Sequence, residues 1–110
     1  MYSRGDIVAV HFPFSDGSAS KLRPALVLSN STIENSGDII LVMITSSVRE
    51  KDLKVELTSE KVSVQLPKQS YVKCHRLFTI EQNLISGKIS SITSSGMNEV
   101  IQTILKIIGE

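Results

Sequence analysis

Asp38-Ile39-Ile40-Leu41-Val42-Met43-Ile44 is the stretch that most narrows what this chain can fold into. It is the most apolar run in the sequence, and its density of β-branched residues argues for a central strand over a helix. It ends abruptly at Thr45-Ser46-Ser47. Hydroxyls at the end of a buried strand can donate hydrogen bonds to a phosphate from a rigid position. They can as well satisfy the strand's own terminal backbone. Both readings stand at this point.

Strand-like runs surround it. Residues 5–12 are rich in β-formers, with Ile7, Ala9 and His11 on one face and Val8, Val10 and Phe12 on the other. Pro13 ends this run or places it at an edge. His11 is either a polar strand-end residue or one that faces a cleft. Residues 15–20 are all small or turn-forming and read as a loop, a plain connector or a lid over a site. Lys21-Leu22-Arg23-Pro24-Ala25-Leu26-Val27-Leu28-Ser29 follows. Pro24 pushes Arg23 toward an extended conformation, and residues 25–28 form an apolar run that reads as a strand buried on both faces. Arg23 therefore stands where a loop becomes a rigid strand. It is either a solvated strand-edge arginine or a positioned cation of the kind an anion site needs.

Residues 30–37 form a polar connection. Residues 49–54 alternate in charge sign and should be solvated, residues 54–58 alternate with period two as a half-exposed strand, and 62–66 reads as a further short strand before a turn at 67–70. In the run 70–80, Tyr71, Lys73 and His75 share one strand face, and Val72, Cys74 and Arg76 the other. Cys74 then reads as a small buried hydrophobe. Lys73 and His75 make either an ordinary exposed pair or a positive, titratable surface, since histidine is by type the side chain suited to proton transfer near neutrality. Residues 88–92 suggest one more short strand. Ser94 or Ser95 can cap a final helix whose Met97, Val100, Ile101, Ile104, Leu105 and Ile108 form one apolar stripe for packing on the sheet, with Gly109 as its stop.

Composition narrows the class. The chain has 110 residues, 41% of them hydrophobic and 21% charged, which suits one domain over 1–110 with a single core. A net charge of +1 neither argues for nor excludes nucleic acid, although seven basic residues against four acidic ones lie between Arg49 and Arg76. A lone cysteine excludes an internal disulfide and suits a reducing compartment. There is no signal-like apolar segment, and no apolar run approaches the roughly 18 residues of a membrane span, so a cytoplasmic protein is expected. Arg4-Gly5-Asp6 reads as the lead-in to a strand, not as an adhesion tripeptide. Asn30-Ser31-Thr32 matters as a glycosylation sequon only with secretion. One cysteine and two distant histidines have no zinc-ligand spacing, and no phosphate-cradling Gly-Lys loop or dinucleotide fingerprint is present. Neither metal nor cofactor is expected.

Four segments then stand in order: Arg4-Gly5-Asp6-Ile7-Val8; Phe12-Pro13-Phe14-Ser15-Asp16 leading into Lys21–Ser29; Val42-Met43-Ile44-Thr45-Ser46; and Tyr71-Val72-Lys73-Cys74-His75-Arg76-Leu77-Phe78-Thr79-Ile80. Taken together at these spacings, the chain resembles the MazF/PemK-like toxins of type II toxin–antitoxin systems over nearly its whole length. The resemblance implies a mainly β (α+β) fold, a compact SH3-like antiparallel β-barrel with a C-terminal helix packed on the sheet, usually as a homodimer. It implies a metal-independent endoribonuclease acting on single-stranded RNA, often mRNA. The products would be a 2′,3′-cyclic phosphate and a 5′-hydroxyl. The implied partner is a cognate MazE/PemI-like antitoxin that occupies the RNA groove, with DNA bound only through the antitoxin complex and no membrane.

Residue by residue, Arg23 matches the family's active-site arginine before proline, and Thr45, with Ser46 beside it, matches the hydroxyl at the end of the central strand. The loop 15–20 matches the variable loop beside the site. Where some members carry Arg-x-Asp, this chain has Lys73 and His75; lysine keeps the charge and lacks the bidentate fork. Arg23, Thr45 and His75 are thus the expected catalytic residues, with His75 moving the proton. Lys21, Ser46, Lys73, Arg76 and His11 are the expected RNA contacts. Two other functions fit the same fold: a binding-only module that still holds antitoxin, and a gyrase-poisoning toxin. The latter acts through a C-terminal tryptophan, which this chain lacks.

Overall fold

The β-branched run at the centre of the sequence is the third strand of six. The structure is a computed structural model that describes residues 2–11 and 21–109. The strands are β1 (Asp6–His11), β2 (Leu22–Val27), β3 (Asp38–Thr45), β4 (Lys54–Glu56), β5 (Tyr71–Glu81) and β6 (Ile85–Ser91), followed by helix α1 (Ser94–Ile108). All pair antiparallel in the order β4-β5-β3-β2-β1-β6, with β3 in the interior as its apolar sequence requires. The expected barrel is thus an open ladder with β4 and β6 at its ends, and the fold class holds. The connection from β4 to β5 crosses back, and Val62 forms a bridge with Ile92 just past β6.

The strands bury both faces. Ile7, Leu26, Val42, Ile44, Val72 and Cys74 pack with Val100 and Ile104 of α1 in one core. Val8, Val10, Ala25, Val27, Leu41 and Ile80 form a second core on the other face. The division follows the period of two along each strand.

Several expectations change in detail. Residues 62–66 do not form a strand; Val62 contributes a single bridge, and the stretch is held by Ser90, whose hydroxyl accepts from the Val64 N–H at 3.0 Å and donates to the Val64 carbonyl at 2.8 Å. The polar connection contains a 3₁₀ turn, Ser31–Ser36, capped by Asn30 and ended by Gly37 at φ 83°, a left-handed conformation that favours glycine. The helix cap is Thr93, neither Ser94 nor Ser95; its Oγ1 accepts from the Gly96 N–H at 3.1 Å. The helical stripe is covered at Val100 and Ile104, while Leu105 and Ile108 in its last turn stay exposed. Phe12 and the loop 15–20, with its lid reading, lie outside the described residues.

Candidate active site

A cleft opens where two neighbouring strands part. The ladder between β2 and β3 pairs Val27 with Leu41, Leu26 with Val42 and Ala25 with Met43, and ends there. The strands run on to Leu22 and Thr45, and between them lies a cleft of about 380 Å³. Its walls are largely apolar, from Leu22, Pro24, Met43, Leu66, Pro67 and Ile89, and its polar groups are Arg23, Thr45, Ser46, Lys68 and Ser70. Apolar walls with a few converging polar groups are the usual make-up of a ligand site.

Arg23, Thr45 and Ser46 are the expected site residues that the fold brings together here. Continuing the β2–β3 register by one pleat sets Arg23 opposite Thr45, and Thr45 is itself paired with Tyr71 of β5. By strand parity Arg23, Thr45 and Tyr71 point to the same sheet face, although β2 and β3 no longer pair there. Arg23 is exposed, and its guanidinium makes no hydrogen bond or ion pair among the described residues. The Thr45 hydroxyl accepts from the Ser47 N–H at 3.1 Å and donates to the Ser47 carbonyl at 3.2 Å. The self-satisfying reading of this strand end is therefore present in the structure. It is compatible with the other one: the N–H holds the oxygen in place, while the hydroxyl proton can turn from the carbonyl to an anion.

The remaining candidates do not line the cleft. Lys21 is exposed just before β2. His11 pairs with Leu22 and lies two residues beyond Ala9, both of which line the cleft, so it flanks the cleft without lining it. On β5 the alternation fails. Val42 of β3 pairs with Leu77 and Ile44 with Val72, so a step of two residues on β3 spans five on β5. The surplus bends β5 away to pair with β4, joining Lys73 to Lys54 and Val72 to Val55. Val72 and Cys74 are buried as expected, but Arg76 does not share their face; His75, Arg76 and Leu77 are exposed in succession. His75 falls in the stretch between these two registers and has no ladder partner on β3 or β4.

Lys73 is 17% exposed, and its ammonium lies 3.6 Å from the Asp52 carboxylate. Asp52 contradicts the expectation of a solvated 49–54 segment, because its side chain is only 2% exposed. It accepts from the Arg49 N–H at 2.8 Å and from the Arg49 guanidinium at 3.2 Å. The Arg49 backbone bond first, then the Arg49 guanidinium and the Lys73 charge, outweigh burial and hold its pKa at about 2. Burial, followed by the charge of Glu99, pushes the Cys74 thiol up to about 11, which makes it a core residue without thiolate chemistry.

Lys68, Ser70, Leu66 and Pro67 are cleft residues that the sequence reading missed. Their sequence shows only a turn, and no local pattern says that the turn folds back over β2 and β3. Among the described residues no group of three or more His, Cys, Asp or Glu is gathered as metal ligands. Among the described residues no helix is long and apolar enough to cross a membrane.

A small antiparallel sheet backed by one helix, with a cleft where its central strands part, places the molecule in the structural class of the MazF toxins. A MazE–MazF complex from Deinococcus radiodurans superposes with a TM-score of 0.80 at 19% identity, covering 98% of this chain and 96% of that one. An endoribonuclease in complex with its cognate antitoxin, from a mycobacterial species, superposes with a TM-score of 0.79 at 17% identity, covering 99% and 96%. At these identities the likeness establishes the fold.

The sequence carries the assignment further. The family described as PemK-like, MazF-like toxin of type II toxin-antitoxin system matches residues 3–108, and the chain belongs to this family. Among curated relatives, the endoribonuclease MazF of Staphylococcus saprophyticus is 24% identical over 102 residues, spanning 91% of this chain and 85% of its own length. That of Staphylococcus epidermidis matches to the same extent.

Proposed function

We propose that this toxin is a metal-independent endoribonuclease that cuts single-stranded RNA at the cleft between β2 and β3. The observation that carries the reading is the meeting of Arg23, Thr45 and Ser46 there, an exposed cation beside two hydroxyls at the ends of rigid strands. In the reaction the ribose 2′-oxygen loses its proton and bonds to phosphorus. The bond from phosphorus to the 5′-oxygen breaks, and that oxygen takes up a proton. A 2′,3′-cyclic phosphate and a 5′-hydroxyl remain.

Negative charge grows on the phosphate oxygens during the attack, and preorganised donors stabilise it. Arg23 supplies a fixed positive charge and planar donors; a guanidinium keeps its proton in water, which makes it an electrostatic group and not a proton donor. Thr45 and Ser46 orient the phosphate oxygens. Lys21 and Lys68, exposed beside the cleft, meet neighbouring phosphates, and Leu22, Leu66 and Ile89 give a base an apolar wall. His75 and Arg76, exposed along β5, extend the surface for the strand beyond the scissile phosphate.

Relatives named as endoribonucleases and structural neighbours solved with MazE or a cognate antitoxin support this assignment and an antitoxin partner; a cytoplasmic homodimer is part of the same proposal. The test is incubation of the purified protein with a long RNA in EDTA. Discrete cleavage with cyclic-phosphate ends is expected, and Arg23→Ala should reduce the rate on the order of a hundredfold or more without lowering the unfolding midpoint. Undiminished cleavage by Arg23→Ala would remove the basis of the assignment.

A further inference from the structure

We infer that Lys73 is a positioning residue: with Asp52 it anchors the 46–53 loop to β5, and so holds the Thr45 and Ser46 hydroxyls at the cleft, without itself contacting RNA. This rests on the reading of the cleft as an RNA site.

The loop between β3 and β4 has almost nothing apolar to hold it. Across 46–53, Asp52 is the only buried residue. Its carboxylate gathers donors from two elements, the Arg49 N–H and guanidinium from the loop and the Lys73 ammonium from β5. A carboxylate withdrawn from water needs such partners, and removing one leaves a buried charge uncompensated. Further bonds join the same structure: the Cys74 N–H donates to the Leu53 carbonyl at 2.8 Å. The Lys54 ammonium donates to the Arg49, Glu50 and Asp52 carbonyls at 3.2, 3.1 and 3.4 Å.

At its other end the loop begins at the cleft. Ser46 lines it, and the Ser47 N–H fixes the Thr45 hydroxyl oxygen at 3.1 Å. Lys73, Asp52 and Arg49 therefore act on the site through the loop. Arg23, Lys21 and Arg76 are exposed cations that can meet phosphate, whereas the Lys73 ammonium is mostly withdrawn and already faces a carboxylate.

Asp52→Asn separates the two roles. A phosphate-contacting Lys73 would be released by this change, tightening RNA binding. A positioning Lys73 would lose its anchor. The first measurement is affinity for a 2′-O-methylated single-stranded oligonucleotide across a salt series. Each phosphate contact on a single strand contributes about 0.7 to the slope of log affinity against log salt. Arg23→Ala should flatten the slope by about 0.7. Asp52→Asn and Lys73→Met should leave it unchanged, yet lower kcat on RNA by roughly tenfold or more through misplacement of the hydroxyls, with KM little altered. Lys73→Arg should restore turnover, and the double variant should be no worse than either single one.

The second measurement is amide exchange at Ser47 and Arg49 in the RNA-free protein, which both substitutions should accelerate. A slope steepened by Asp52→Asn, a slope flattened by Lys73→Met, or unchanged exchange at Ser47 would each overturn the inference. A wild-type protein that neither binds nor cleaves RNA would instead remove the reading of the cleft, and exchange would still decide whether the pair anchors the loop.

Discussion

Asp52 lies in a segment of alternating charges, and only its partners reveal what it does. Its carboxylate is held ionised at about 2, against the ordinary 3.8, so the folded state binds its proton less readily than the unfolded chain. The stabilisation is fully present above the ordinary carboxylate value and is lost as pH falls through that value toward about 2. The thermal midpoint of the wild type should exceed that of Asp52→Asn near neutrality, and the two should converge on acidification across this window. A midpoint difference that stays constant with pH would show that Arg49 and Lys73 do not hold the charge. His75 is the converse case: residue type marked it for proton transfer, and it falls in the unpaired stretch where β5 shifts register. His75→Ala should weaken RNA affinity modestly and leave the pH profile of kcat unchanged. Loss of a limb near neutrality would return the proton transfer to His75.

Elements were legible in proportion to how far local pattern alone determines them. β3 follows from its β-branched run, and the course of β1 and β2 from alternation and from Pro24. The helix follows from its apolar stripe, but its first residue depends on which hydroxyl reaches an open N–H. The sequence pointed to Ser94 or Ser95 as cap, but both lie inside the helix, and Thr93 adopts the extended backbone that lets its Oγ1 meet the Gly96 N–H. Thr93→Ala should therefore cost about 1 kcal/mol in chemical denaturation, and Ser94→Ala or Ser95→Ala only a few tenths. Residues 62–66 have strand-like composition without strand partners, because the crossing connection offers Val62 a single bridge and leaves Val64 to a serine hydroxyl.

At the scale of the whole molecule, the sheet carries a core on each face, and the two cores share the same strands. Leu26 and Leu41 are both fully buried, one in each core, on adjacent strands. Leu26→Ala and Leu41→Ala should each lower stability by about 2–5 kcal/mol. Each should shift one common unfolding transition, seen alike by far-ultraviolet dichroism and by reaction of the buried Cys74 thiol. Separate transitions would mean that the faces fold independently.

The sequence by itself determined the strands apart from the false one at 62–66, the terminal helix, the buried cysteine and, through motif order, the family. These depend on periodicity, side-chain branching and short segments, all of them local. Only the tertiary structure decided that the β2–β3 ladder stops at Ala25 and Met43 and leaves a cleft, that residues 66–70 return to line it, and that β5 bends at the register shift. It also decided that Lys73 meets Asp52 instead of open solvent. Each of these depends on contacts between residues far apart in the chain, where strand pairing and burial override what the neighbours in sequence prefer.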